Sequence, residues 1–177
     1  MILGLDVSTS ITGATVLDEN GVVLFCEAWD TRNKNRFPSL FNKGRLIKNK
    51  LRELDDRFHI DKIYIEQSLQ SFRSGFSSAK TLSTLSRFNG IVSWLCYEVF
   101  ELQPEYVAAT SARKMCGIKV PRGEKAKQVV LNFLLDKETS FVIDYTKSGN
   151  PTPGSYDRAD SLVIARAGYS LCQKQKS

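Results

Sequence analysis

Two short apolar runs in this chain each end on a carboxylate. Ile2-Leu3-Gly4-Leu5 leads directly into Asp6, and Ile63-Tyr64-Ile65 leads into Glu66. Short apolar runs bounded by polar residues read as buried strands, and strands buried on both faces belong to sheets with parallel neighbours. In such sheets the C-terminal strand ends converge at one edge, where sites form. A charge at that position has left the core without leaving the strand that fixes it.

The rest of the chain supplies the layers around these strands. Three extended segments come first: Met1 to Val7, Gly13 to Leu17, and Val22 to Trp29. The second and third are joined by Asp18-Glu19-Asn20-Gly21, and Asn-Gly between apolar runs signals a tight hairpin because both residues tolerate positive φ. A loop then becomes helical from about Ser39, where Leu40, Lys43, Leu46, Ile47, Leu51 and Leu54 approximate the helical period. After the strand Lys62 to Glu66 comes a long apolar helix, Ser78 to Glu101, followed by a strand from Tyr106 to Thr110. Ser111 caps a short helix ending near Cys116-Gly117, and another helix begins at Gly123 or Glu124 and runs to about Asp136. Tyr145 to Tyr156 is rich in Gly and Pro and reads as a loop, and a last helix runs from near Ser155 to about Cys172. The order predicts an α/β fold: a mixed five-stranded sheet, three antiparallel strands and then parallel ones, with helices on both faces. A length of 177 residues with 42% hydrophobic content fits one domain over 1–177.

Charge and cysteine usage narrow the class. The formal net charge is +6, and the segment from Arg32 to Arg52 carries Arg32, Lys34, Arg36, Lys43, Arg45, Lys48, Lys50 and Arg52 without one Asp or Glu. A solvated helix face usually mixes both signs, so this run points to a polyanionic partner. Cys26, Cys96, Cys116 and Cys172 are far apart and form no Cys-x-x-Cys pair, so they read as reduced core thiols. No leader-like segment precedes the first strand, and Ile91 to Phe100 is too short to span a bilayer and contains Glu98. A soluble protein of the cytoplasm, with no membrane partner, is expected. His59 is the only histidine, which excludes any mechanism that needs two; it reads as an exposed linker residue.

Asp157 and Asp160 stand three positions apart in the last helix and share one of its faces. Each acidic residue has a plain structural explanation when taken singly. Asp157 and Asp160 complement a helix N-terminus, Glu66 bonds a neighbouring loop, and Asp6 forms a turn with Ser8 and Thr9. Together, four carboxylates brought to one sheet edge repel unless protons or a cation intervene. An all-oxygen set suits Mg²⁺ or Mn²⁺ and, lacking nearby Cys or His, disfavours zinc. Two such ions about 3.5 to 4 Å apart clamp the attacking and leaving oxygens of a phosphodiester displacement.

The chain resembles the RuvC-type Holliday junction resolvases, a branch of the ribonuclease H-like nucleases. The motifs fall in order: Gly4-Leu5-Asp6 with Thr12-Gly13, then Ile65-Glu66-Gln67, then Gly123-Glu124-Lys125, then Asp157-Arg158-Ala159-Asp160-Ser161-Leu162. The resemblance implies a homodimer that binds a four-way DNA junction and makes paired, Mg²⁺-dependent nicks, with Mn²⁺ able to substitute. Asp6 would bridge two ions, Glu66 and Asp160 would complete one coordination shell, and Asp157 would assist the other or position water. Lys125 would sit near the scissile phosphate, or else be an exposed helix residue. Arg113, Lys114, Lys119, Arg122 and Lys127 would join Arg32, Lys34, Arg36, Lys43 and Arg45 in the DNA-binding surface.

Departures from the family pattern are also visible. Val7-Ser8 follow Asp6 where cellular members usually have Pro-Gly, and Leu69 stands where many relatives have an aromatic residue that stacks into the junction. Phe72, beside Arg73, is the displaced candidate for unstacking a base; a core or dimer-interface phenylalanine is the alternative. Variants of this sort are frequent in phages and other viruses, which would place the protein in a host cytoplasm. Three other readings remain. Asp6-Val7-Ser8-Thr9-Ser10 partly resembles the phosphate loop of sugar kinases and actin-like ATPases, which need two such domains. A non-catalytic nucleic-acid-binding module of the same fold would be expected to lose metal carboxylates. A nuclease for flaps, forks or RNA in hybrids keeps the same chemistry on another substrate.

Overall fold

The computed structural model describes residues 1–67 and 79–176, with the side chain of the last of these left out. Phe72 and Arg73, the expected base-stacking region, lie outside the described residues. Five strands form one sheet: β1 (Ile2–Asp6), β2 (Ile11–Leu17), β3 (Val23–Asp30), β4 (Lys62–Glu66) and β5 (Glu105–Val107), in the order β3-β2-β1-β4-β5. The β1–β2 and β2–β3 pairs are antiparallel, and β4 and β5 add in parallel to β1. This is the mixed sheet that the element order predicts.

The hairpin between β2 and β3 closes as its Asn-Gly turn requires. Gly21 adopts φ +81° and its N–H donates to Asp18 O at 3.1 Å. The Asp18 carboxylate accepts from the N–H of Asn20 and Val22 at 2.9 and 2.7 Å, so this acidic residue is consumed by the turn. Helix α1 (Leu40–Asp55) starts where Ser39 Oγ accepts from Asn42 N, and Ile47, Leu51 and Leu54 form its buried stripe. Helix α2 (Ala79–Phe100) packs beside it and contributes Phe88, Val92 and Cys96.

The period of two divides the sheet between two cores. Leu3, Leu5, Ala14, Val16, Ile63 and Ile65 face α1 and α2. Ile2, Leu17 and Tyr64 face the opposite layer of α3 (Ala109–Met115), α4 (Ala126–Lys137) and α5 (Ser155–Lys176). Asp6 and Glu66 have the parity of Gly4 and Tyr64, and Gly4 pairs with Tyr64 in the β1–β4 ladder. Both carboxylates therefore end their strands on the α5 side.

Three boundaries differ from the sequence reading. The strand expected over Tyr106 to Thr110 is only Glu105–Val107, because Ala109 and Thr110 already belong to α3. Ala108, not Ser111, occupies the N-cap of α3, without a side-chain cap bond. Gly123 and Glu124 precede α4, whose N-cap is Lys125 in an extended conformation. The apolar character of this region came from packing of α3 and α4 against α5, not from strand pairing. The four cysteines are free, as expected, and no described helix is long and apolar enough to cross a membrane.

Helix α5 lies against the sheet almost backbone to backbone. A Cβ added to Gly4 would fall 2.5 Å from Ala165 N, and one added to Gly13 would fall 1.9 Å from Asp157 O. Only glycine permits these approaches. Gly13→Ala is expected to destabilise the protein by about 1–3 kcal/mol through overpacking. Gly90→Ala, in α2 with open space around the added methyl, should instead raise the melting temperature through helix propensity. Thermal melts of the two variants check the pair; equal effects would show that the α5 approach is not tight.

Candidate active site

Each acidic side chain is held by a different element, and the packing of those elements brings them together. Asp6 pairs across the β1–β2 ladder with Gly13, and Gly13 is the residue on which the Asp157 carbonyl rests. The first turn of α5 thus sits directly beside Asp6. One turn on, Ser161 Oγ lies 2.8 Å from Thr15 Oγ1 and donates to Arg158 O, pinning the helix to β2 from inside. Arg158 Nε donates to Cys26 O at 3.1 Å and ties the same turn to β3. These bonds set the rotation of α5, and with it the direction of the Asp157–Asp160 face.

The carboxylates share one electrostatic field. Asp6 is held well above the usual carboxylate range, first by burial and then by the charges of Glu66 and Asp160, with a smaller push from Asp157 and relief from Lys127. Glu66 is pushed up to about 7 by burial and by Asp160, opposed by Lys127 and Arg113. Asp157 and Asp160 are raised by burial, and Lys127 opposes the shift in both. The four residues predicted from strand ends and helix spacing are therefore neighbours in space.

Their arrangement is a field of negative charge rather than a finished ligand cage. Among the described residues no three carboxylate, imidazole or thiol groups converge closely enough to hold one ion as they stand. The positive charge at the cluster comes from Lys127, whose Nζ is 3.6 Å from Asp160 Oδ2. Burial opposes the ammonium most strongly, yet Asp160, Asp6, Asp157 and Glu66 together hold its pKa above the usual lysine value. The donor chemistry, oxygen throughout, is of the kind that suits a hard divalent cation.

The structure also separates the other candidates. Lys125 is the exposed N-cap of α4, and the lysine paired with a site carboxylate is Lys127, two residues further on. Arg113 lies close enough to lower the pKa of both Glu66 and Asp160. Arg32 acts on Asp157 but is engaged by Asp30, with Nη2 to Oδ2 at 2.6 Å and Nε to Oδ1 at 3.0 Å. Arg32, Asn33 and Arg36 line a shallow cleft beside this pair. Lys43 donates to Thr9 O in the β1–β2 loop, and its pKa is lowered first by burial and then by Lys34. Lys34, Arg45, Lys114, Lys119 and Arg122 are exposed. The basic run is less free than its composition implies, since Lys48 pairs with Glu98 and Lys50 with Glu53.

Asp30 was not anticipated, although the strand-end rule that finds Asp6 also finds it. β3 runs parallel in direction to β1, two strands away, so its C-terminal residue comes to the same edge. Its charge is felt by Asp157. The Ser8–Ser10 loop gives the opposite lesson. Ser8 Oγ accepts from Ile11 N and Ser10 N and donates to Ile11 O at 2.7 Å, so the hydroxyl that a phosphate loop would offer its ligand is spent within the loop. That weighs against the ATPase reading.

The pKa shifts fix a sign. Asp6 and Glu66 bind protons more tightly folded than unfolded, so without divalent cations stability is full below the ordinary values of 3.8 and 4.5 and declines as pH rises through the folded ones, about 7 for Glu66. Asp6→Asn should flatten that decline. In a chelator at pH 8 its melting temperature should exceed that of the wild type by about 2–4 °C for each kcal/mol of repulsion relieved. Scanning calorimetry at pH 4.5 and pH 8 measures this, and a lower melting temperature for the variant at pH 8 would contradict the crowding.

No protein-family profile matches the chain, and no curated protein is significantly similar to it. Solved structures are. A Thermus thermophilus RuvC in complex with a Holliday junction substrate aligns at TM-score 0.65 and 14% identity, over 98% of this chain and 94% of that one. Another Thermus thermophilus RuvC structure aligns at 0.62 and 16%, over 98% and 96%. The yeast mitochondrial Holliday junction resolvase aligns at 0.61 and 16%, over 99% and 80%. At such identities the likeness is one of architecture, and the mixed sheet with its two helical layers is the ribonuclease H-like fold seen in RuvC.

Proposed function

We propose that this protein is a metal-dependent endonuclease that resolves four-way DNA junctions by paired nicks. The observation that carries the proposal is the convergence of Asp6, Glu66, Asp157 and Asp160 at one sheet edge, where burial raises all four pKa values and repulsion from others of the four adds to the shift of Asp6, Glu66 and Asp160. A chain gains no stability from that arrangement, so its use is sought in binding a cation or an activated group. The fold supports the substrate class, since one of its structural neighbours was solved with a Holliday junction.

Asp6, Glu66 and Asp160 would hold one divalent ion, Mg²⁺ or Mn²⁺, and Asp6 with Asp157 a second. Ions so bound supply charge neutralisation and a water of lowered pKa for attack on phosphorus. The chain's own residues do the remaining work. β1 and β4 mount Asp6 and Glu66 on rigid strand ends, and the Gly13 contact fixes Asp157 against them. Lys127 balances the cluster and stands within reach of a phosphate brought to it. Arg32, Lys34, Arg36, Lys43 and Arg45 on one side, and Arg113, Lys114, Lys119 and Arg122 on the other, would hold the DNA backbone. Paired nicks across a two-fold junction require two such sites, hence a homodimer.

Four-way, three-way, flap, duplex and RNA–DNA hybrid substrates offered with Mg²⁺ test the reading. Wild type should make paired nicks in the four-way junction, and Asp6→Asn should bind it but cut at least 100-fold more slowly, a loss of about 2.7 kcal/mol or more in transition-state stabilisation. Cutting by Asp6→Asn at the wild-type rate would overturn the site. Single uncoordinated nicks, or preference for flaps or hybrids, would replace the resolvase by a nuclease of another branched substrate.

A further inference from the structure

A basic concavity beside the carboxylates has a shape and composition of its own. α3 ends at Met115, and the chain turns through Gly117 (φ +72°) into Ile118-Lys119-Val120. The helix carbonyls at that end are already satisfied: Gly117 N donates to Lys114 O at 3.1 Å and Ile118 N to Arg113 O at 2.9 Å. Arg113, Lys114 and Lys119 are therefore not needed to close the helix. With Ile118 and Val120 they surround a cavity of ≈ 280 Å³ whose lining contains no acidic residue. Ile118 is 5% exposed and forms an apolar floor anchored in the core, while Lys114 and Lys119 are exposed at the rim.

The place of this cavity in the fold gives it a direction. β4 ends on Glu66, which pairs with Val107 of β5, and α3 begins two residues after Val107. Arg113 is close enough to stabilise the charged forms of Glu66 and Asp160. The cavity thus adjoins the carboxylates on the β5 side, whereas the Arg32–Arg36 cleft lies at the β3 end of the same edge. Four strand spacings, about 19 Å, separate β3 from β5.

Resting on the nuclease reading above, we propose that this cavity seats one nucleotide of the substrate strand next to the cleaved bond, its phosphate on Lys114 and Lys119 and its sugar and base edge against Ile118 and Val120. A bare anion site would not need the apolar floor, and a purely apolar site would not be rimmed by cations. Seating a nucleotide on the β5 side sets the strand's path, from the β3 end across the carboxylates to α3. It also gives the protein a place to discriminate among bases without any groove contact.

The test uses four-way junctions in which single phosphates of the cut strand are replaced, one at a time, by neutral methylphosphonates. Binding is measured in the Asp6→Asn chain so that no cutting intervenes. One position beside the cleaved bond should show roughly a tenfold loss of affinity, the size of one charge-assisted contact. Adding Lys114→Gln and Lys119→Gln should abolish that loss, leave the penalties elsewhere unchanged, and reduce the salt slope by about one, the share of a single phosphate. Val120→Trp, which fills the cavity and keeps its charge, should weaken binding and shift cutting among junctions that differ in the base at that position. Identical methylphosphonate profiles with and without the two lysines would overturn the proposal while leaving the nuclease reading intact. Failure of the Asp6→Asn chain to bind any branched DNA would remove both.

Discussion

Everything at the candidate site depends on how closely α5 lies on β1 and β2. Two strands and a helix meet through Gly4 and Gly13, where not even a methyl group fits. The approach brings Asp157 beside the residue that pairs with Asp6, so the distance between a strand carboxylate and a helix carboxylate is set by backbone packing rather than by side-chain reach. A few ångströms of extra spacing would leave four unrelated acidic residues. The buried Thr15–Ser161 contact acts at the same seam by fixing how α5 is turned.

That seam holds together groups that repel. The apolar layers on both faces, with Leu3, Leu5, Ile63 and Ile65 fully buried on one side and Leu162, Ile164 and Ala165 on the other, supply the stabilisation that keeps the strand ends in place. Each buried aliphatic side chain contributes about 1.5–3 kcal/mol, so a handful of them offsets the strain of crowding carboxylates. Lys127 reduces what must be offset, since its ammonium acts on all four acids.

Much of this was legible in the sequence because the relevant signals are local. A carboxylate at the end of an apolar strand has few other meanings, and the three-residue spacing of Asp157 and Asp160 needs only helical geometry. The hairpin at Asn20-Gly21 and the start of α1 at about Ser39 are equally local. What could not be read depended on contacts between distant segments. Tyr106 to Thr110 looks like a strand, but β5 is a short edge strand and the helix packing of Ala112 against α5 wins the following residues. Lys125 and Lys127 are indistinguishable by spacing alone, and only the docking of α4 on α5 decides which one reaches Asp160. Asp30 differs again: β3 points to the edge of Asp6 only because two antiparallel pairings in succession restore the direction of β1.

The two basic flanks of the edge are not equivalent, and the difference has a physical cause. At the β3 end Arg32 is held in a bidentate pair by Asp30, so a phosphate arriving there must compete with a carboxylate already in place. At the β5 end Lys114 and Lys119 stand on a rim without an acidic neighbour in the lining. Binding at the first flank costs the Asp30–Arg32 pair, which is exposed and therefore worth little. Binding at the second breaks no ion pair in the lining and gains from the release of counterions. A polyanion would then be gripped most firmly on the β5 side and drawn across Asp6 towards β3. On the proposed function that hold would fall beside Glu66 and Asp160, whose charges Arg113 already tempers.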